Sequence, residues 1–79
     1  MYFVYILQSQ KDQSFYIGST ENLKKRVTEH NAQKTKSIAS KTPYVLAWYS
    51  VFRNKEKALA FEKYLKSSSG FAFRNKRLV

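Results

Sequence analysis

The chain has 79 residues, no cysteine, one histidine, and fifteen Lys and Arg against five acids, for a formal net charge of +10. This length allows one domain, residues 1–79, with a small core, since such a chain buries only about 60% of the surface it exposes when unfolded. Disulfides, thiolate metal sites, cysteine nucleophiles and His/Cys zinc clusters are excluded, while the charge favours a nucleic-acid partner over an anionic membrane.

Residues 2–8, YFVYILQ, are β-branched and aromatic and read as a strand. Alternation puts Phe3, Tyr5 and Leu7 on one face and Val4 and Ile6 on the other, so a central strand covered on both sides is expected. SQKDQS (9–14) reads as a turn and FYIGST (15–20) as the returning strand of a hairpin. Thr20 can cap a helix from Glu21 to about Asn31, on which Leu23, Val27 and His30 mark one face. AQKTKSIASKTP (32–43) is polar and basic, and a mobile segment is expected there. YVLAWYSVF (44–52) is a third strand. Asn54 caps a helix KEKALAFEKYLKSS, with Ala58, Phe61 and Leu65 as its buried stripe and Glu62 on the edge of that stripe. SSG (68–70) breaks it, and a short last helix over 71–78 places Phe71, Arg74 and Leu78 on one side. The fold class expected is α/β (α+β): a small, mostly antiparallel three-stranded sheet flanked by helices, in the order β-β-α-β-α-α. The apolar run Tyr2 to Leu7 is too short to span a bilayer and has no basic leader, so neither a membrane anchor nor a signal peptide is expected. A reducing cytoplasm suits a chain without cysteine.

Five residues could carry chemistry: Tyr5, Tyr16, Arg26, His30 and Glu62. Each has a plain explanation. The tyrosines suit a core, Arg26 a solvated helix face, His30 a hydrogen-bonded core histidine, and Glu62 an ion pair with Lys66 one turn on. Their arrangement argues for more. Tyr5 and Tyr16 lie on adjacent strands, Arg26 follows closely on the helix that the second strand feeds, and Gly18 permits a close approach to the tyrosines by backbone or ligand. No GxxxxGK or GxGxxG loop occurs, and no carboxylate pair suits glycoside hydrolysis. A Ser-His-Asp triad would have to use Asp12, which lies in a turn.

This ordered set resembles the GIY-YIG nuclease superfamily, in its small single-domain bacterial form, to which the N-terminal nuclease domain of the bacterial excinuclease is related. The two name-giving strands match Phe3-Val4-Tyr5 and Tyr16-Ile17-Gly18, and Arg26, His30 and Glu62 follow in the family's order. VYIL, FYIGST, EHN and EKYLK are typical local sequences of such members. The leading Gly-Ile is replaced by Phe3-Val4, at positions of strand packing. Asn75 is the candidate for the family's late asparagine.

The resemblance implies an endonuclease that hydrolyses phosphodiester bonds with one divalent ion, Mg2+ or Mn2+, held by Glu62. DNA is favoured over RNA as substrate, in repair or in processing of branched or damaged structures. Tyr5 would take a proton from water, its pKa lowered by neighbouring cations. Tyr16 would orient it, Arg26 would bind phosphate, and His30 would assist. The five side chains should converge on one concave patch. Lys34, Lys36 and Lys41 are expected to contact backbone phosphates. The alternatives are a nucleic-acid-binding module with little or no turnover and a protein-binding domain. A monomer is assumed.

Overall fold

The computed structural model describes residues 1–32 and 43–78. Its elements are β1 (Tyr2–Ser9), β2 (Phe15–Thr20), α1 (Leu23–Asn31), β3 (Tyr44–Phe52), α2 (Lys55–Lys66) and α3 (Ser68–Arg77). Val4, Tyr5, Ile6 and Leu7 are all fully buried, so β1 needs cover on both faces. It is the middle strand of a three-stranded sheet ordered β2-β1-β3, antiparallel to both neighbours. Val4 and Ile6 pack with Ile17 of β2 and with Ala58 and Leu65 of α2, and Phe61, Phe73 and Leu78 close over them. Tyr5 and Leu7 pack on the other face with Tyr44, Leu23 and Val27. The sheet therefore lies between α1 on one side and α2 with α3 on the other. Each large apolar side chain buried this way contributes about 1.5–3 kcal/mol. This is the α/β architecture and element order that the sequence leads one to expect.

One irregularity matters for the site. Ile6 pairs with Trp48 but Leu7 pairs with Leu46, so Ala47 is an extra residue in β3. Such a bulge reverses the alternation of the strand beyond it. Trp48 packs toward Phe61 of α2, with ring centroids 5.9 Å apart. Tyr44 has the same parity, yet it faces Tyr5 and Leu7 instead.

The helix boundaries depart from expectation in two places. The cap of α1 is Asn22, not Thr20: its side chain accepts from the Lys25 amide at 3.0 Å. Thr20 is already engaged, because its hydroxyl oxygen accepts from the Asn22 amide at 3.1 Å. Glu21 is thereby left outside the helix, whose first turn carries no acid. The helix break after α2 falls at Ser67, one residue before SSG. Ser67 donates its hydroxyl to the Tyr64 carbonyl at 2.6 Å and accepts from the Gly70 amide at 3.1 Å, so one side chain serves the end of α2 and the start of α3. Gly70 is buried within α3, where any Cβ would collide with the Tyr64 carbonyl. Asn54 does cap α2, accepting from the Lys57 amide at 3.1 Å. Of the expected stripe on the last helix, Leu78 packs into the core, and the side chains of Phe71 and Arg74 lie outside what is described. Among the described residues no helix is long and apolar enough to cross a membrane.

Candidate active site

Tyr5 stands opposite Gly18 in the β1–β2 register, and its ring lies across that glycine. A Cβ at Gly18 would sit 2.5 Å from the Tyr5 hydroxyl. The space expected to admit a ligand is thus taken by Tyr5 itself, which explains why a glycine stands there. The Tyr5 hydroxyl meets His30 Nε2 at 3.1 Å. His30, at the end of α1, is 4% exposed, and its ring lies 4.6 Å from that of Tyr16, centroid to centroid. Tyr5 and Tyr16 stack at 6.4 Å, and Tyr44 closes the cluster 6.2 Å from the imidazole. His30 Nδ1 is buried with no hydrogen-bond partner among the described residues.

Burial pushes the Tyr5 phenol up to about 12, with further upward pushes from Tyr16 and Glu62, while the Arg26 guanidinium pulls it down. The expected lowering by neighbouring cations is therefore reversed: desolvation outweighs Arg26. Burial is also the main cause that holds the His30 imidazole below its usual value. Arg26 adds to this and Glu29 opposes it. Both groups are neutral at pH 7. Arg26 itself is exposed on α1, with Nε 3.5 Å from the Glu29 carboxylate.

Glu62 comes from the opposite layer. Along β2, Tyr16 and Gly18 face α1, whereas Ile17 and Ser19 face α2. Ser19 donates its hydroxyl to Glu62 Oε1 at 2.6 Å, and Lys66 donates to Oε2 at 2.8 Å. Burial acts to raise the Glu62 carboxyl, but the hydrogen bonds from Lys66 and Ser19 and the Lys66 charge together bring it below its usual value. Its charge still bears on the Tyr5 phenol. Tyr5, Tyr16 and His30 thus form one cluster on the α1 face, beside Arg26. Glu62 reaches Ser19 from the α2 layer and not from the α1 face, while its charge acts on the Tyr5 phenol.

Asn75 is exposed on α3, and among the described residues the hydrogen-bond partners of Glu62 are Ser19 and Lys66. Lys34, Lys36 and Lys41 lie outside the described residues. Among the described residues no group of three His, Cys, Asp or Glu side chains could hold a metal. Glu62 remains: a single ionised, oriented oxygen donor. That suits a magnesium-like ion, which keeps several waters and takes one or two carboxylates plus substrate phosphate, and does not suit a closed zinc site.

Three residues at the site escape a reading of the sequence. Ser19 could be placed on the α2 face by alternation, but its partner could not. Tyr44 depends on the Ala47 bulge. Asn31 accepts from the Tyr44 amide at 2.6 Å and donates to the Tyr44 carbonyl at 3.0 Å. It ties the His30 end of α1 to the start of β3.

The family described as the GIY-YIG catalytic domain matches residues 1–77. Among curated proteins, UPF0213 protein CPE1444 of Clostridium perfringens is 40% identical over 67 residues, covering 84% of this chain and 71% of that protein. UPF0213 protein SH2523 of Staphylococcus haemolyticus is 36% identical over 69 residues, covering 86% and 83%. UPF0213 protein SpyM50708 of Streptococcus pyogenes serotype M5 is 38% identical over 65 residues, covering 81% and 70%. No solved structure matches the chain. The match over residues 1–77 and these relatives show that the chain belongs to the GIY-YIG catalytic domain family, a family of nucleases.

Proposed function

We propose that the chain is a divalent-metal-dependent endonuclease that hydrolyses phosphodiester bonds, with DNA as the preferred nucleic acid. The observation that carries this reading is the Tyr5–His30 hydrogen bond beside Arg26, with an ionised Glu62 whose charge acts on the Tyr5 phenol. A phenol raised to about 12 is no standing base at pH 7. It acts as a relay instead. Tyr5 receives a proton from the attacking water as it passes its own to His30 Nε2, in the tautomer that carries hydrogen on Nδ1. The water oxygen forms the new bond to phosphorus as the bond to the 3′ oxygen breaks. Arg26 binds a non-bridging phosphate oxygen and offsets the charge that grows there. Tyr16 packs against the imidazole and keeps it on Tyr5. Glu62 would hold Mg2+ or Mn2+, which when bound polarises the phosphate and stabilises the leaving oxygen.

The second reading, a nucleic-acid-binding module with little turnover, is favoured by one observation. Tyr5 is fully buried, and the relay requires it to meet water. Purified protein incubated with Mg2+ or Mn2+ and a panel of duplex, single-stranded, flap, four-way and RNA substrates decides between them. The nuclease reading expects cleavage of at least one DNA substrate, and loss of that cleavage in Tyr5→Phe. Binding without cleavage across the panel supports the module.

A further inference from the structure

We propose that Ser19 is a positioning residue that fixes one oxygen of Glu62, while Lys66 covers the other and yields it to the incoming metal ion. The proposal rests on the reading of Glu62 as the metal-holding residue and adds how that side chain is aimed. A glutamate on a helix has three side-chain torsions to settle before its carboxylate points one way. Ser19 settles them from outside the helix: its hydroxyl donates at 2.6 Å to Oε1, across 43 positions of sequence and from strand to helix. The bond is partly buried, and it starts from the residue next to Gly18, on the strand that carries Tyr16. It therefore ties the carboxylate to the strand over which the Tyr5 ring lies.

The two partners of Glu62 differ in kind. Ser19 sits on a strand, opposite Val4 of β1, and has one short rotor. Lys66 is a long side chain, 53% exposed, on the same helix as Glu62. The lysine end of the pair is open to solvent, while the Glu62 side chain is only 17% exposed. A cation arriving at Oε2 displaces the ammonium, and Oε1 stays bound to Ser19. Outer partners that orient a ligand in this way usually govern metal affinity by about tenfold or more.

The test uses Mn2+ alone with the 15N-labelled 79-residue chain. Paramagnetic broadening of amide signals reports weak binding without nucleic acid or turnover. In the wild type, the Glu62 and Ser19 amides should broaden first as Mn2+ is added. Ser19→Ala should need about tenfold more Mn2+ for the same broadening, and Ser19→Thr, which keeps the hydroxyl, should restore it. Lys66→Met should shift the response to lower Mn2+. Thermal melts check that each variant folds. Ser19→Ala with wild-type Mn2+ response, or equal weakening in Ser19→Ala and Ser19→Thr, overturns the role of Ser19. Weaker binding in Lys66→Met overturns the displacement of Lys66. Glu62→Gln separates the role of Ser19 from that of Glu62: if it responds to Mn2+ like the wild type, Glu62 is not the metal residue, whatever Ser19 does.

Discussion

Gly18 shows how far a single missing methyl group reaches. The Tyr5 ring occupies the place a Cβ would take, so Gly18→Ala must push the phenol off His30 or part the two strands. The expected cost is about 1–3 kcal/mol, the range for an overpacked site, read from urea melts. Cleavage should fall further than stability alone explains. His30 makes a second prediction, with a definite sign. Its folded value lies below the unfolded one, so the folded chain binds fewer protons between the two. The stability this group contributes is complete above about pH 6.5 and is lost as pH falls through the folded value. His30→Phe keeps a ring against Tyr16 and has no proton to gain. Its melting temperature should depend less on pH between about 8 and 5 than that of the wild type. Tyr5, Tyr16 and His30 were legible in the sequence because two strand tyrosines and a helix stripe converge through simple periodicity. Ser19 was not, since a serine on a strand gives no sign of a glutamate 43 residues away.

Among the elements, strand and helix order was written in the alternation of β1 and the stripe of α2, but the ends were decided by competition between neighbouring polar side chains. Thr20 and Asn22 both suit a helix cap, and only the turn between them decides which serves. Asn22→Ala should cost about 1 kcal/mol in thermal or urea melts, because the Lys25 amide loses its partner. Asn22→Ser keeps a capping oxygen and should recover most of that loss. No recovery in Asn22→Ser means the cap is not the source of the effect. The bulge at Ala47 was illegible for a different reason. Nothing in YVLAWYSVF marks the extra residue; it arises where β3 must put Trp48 on one layer and Tyr44 on the other.

At the scale of the whole molecule, the charge of +10 is the property that composition gave most directly. It predicts nucleic-acid binding that weakens with salt by about 0.9 log unit per log salt for each duplex phosphate neutralised. Replacing Lys34, Lys36 and Lys41 together by Ala should flatten that slope by about 0.9 for each lysine that meets a phosphate. Filter-binding or anisotropy titrations at several salt concentrations measure it, and an unchanged slope removes this segment from the interface.

On the proposed reading, Glu62 and the Tyr5–His30 cluster act together as one nuclease site. Glu62→Gln tests it most directly, with cleavage and binding measured on the same substrate in Mg2+ or Mn2+. If Glu62 serves only as the structural partner of Ser19 and Lys66, the change costs stability and leaves activity alone. If Glu62 holds the ion, cleavage should fall by at least about a hundredfold, while nucleic-acid binding persists or tightens with one acid fewer. Cleavage by Glu62→Gln at the wild-type rate would show that Glu62 does not hold the ion.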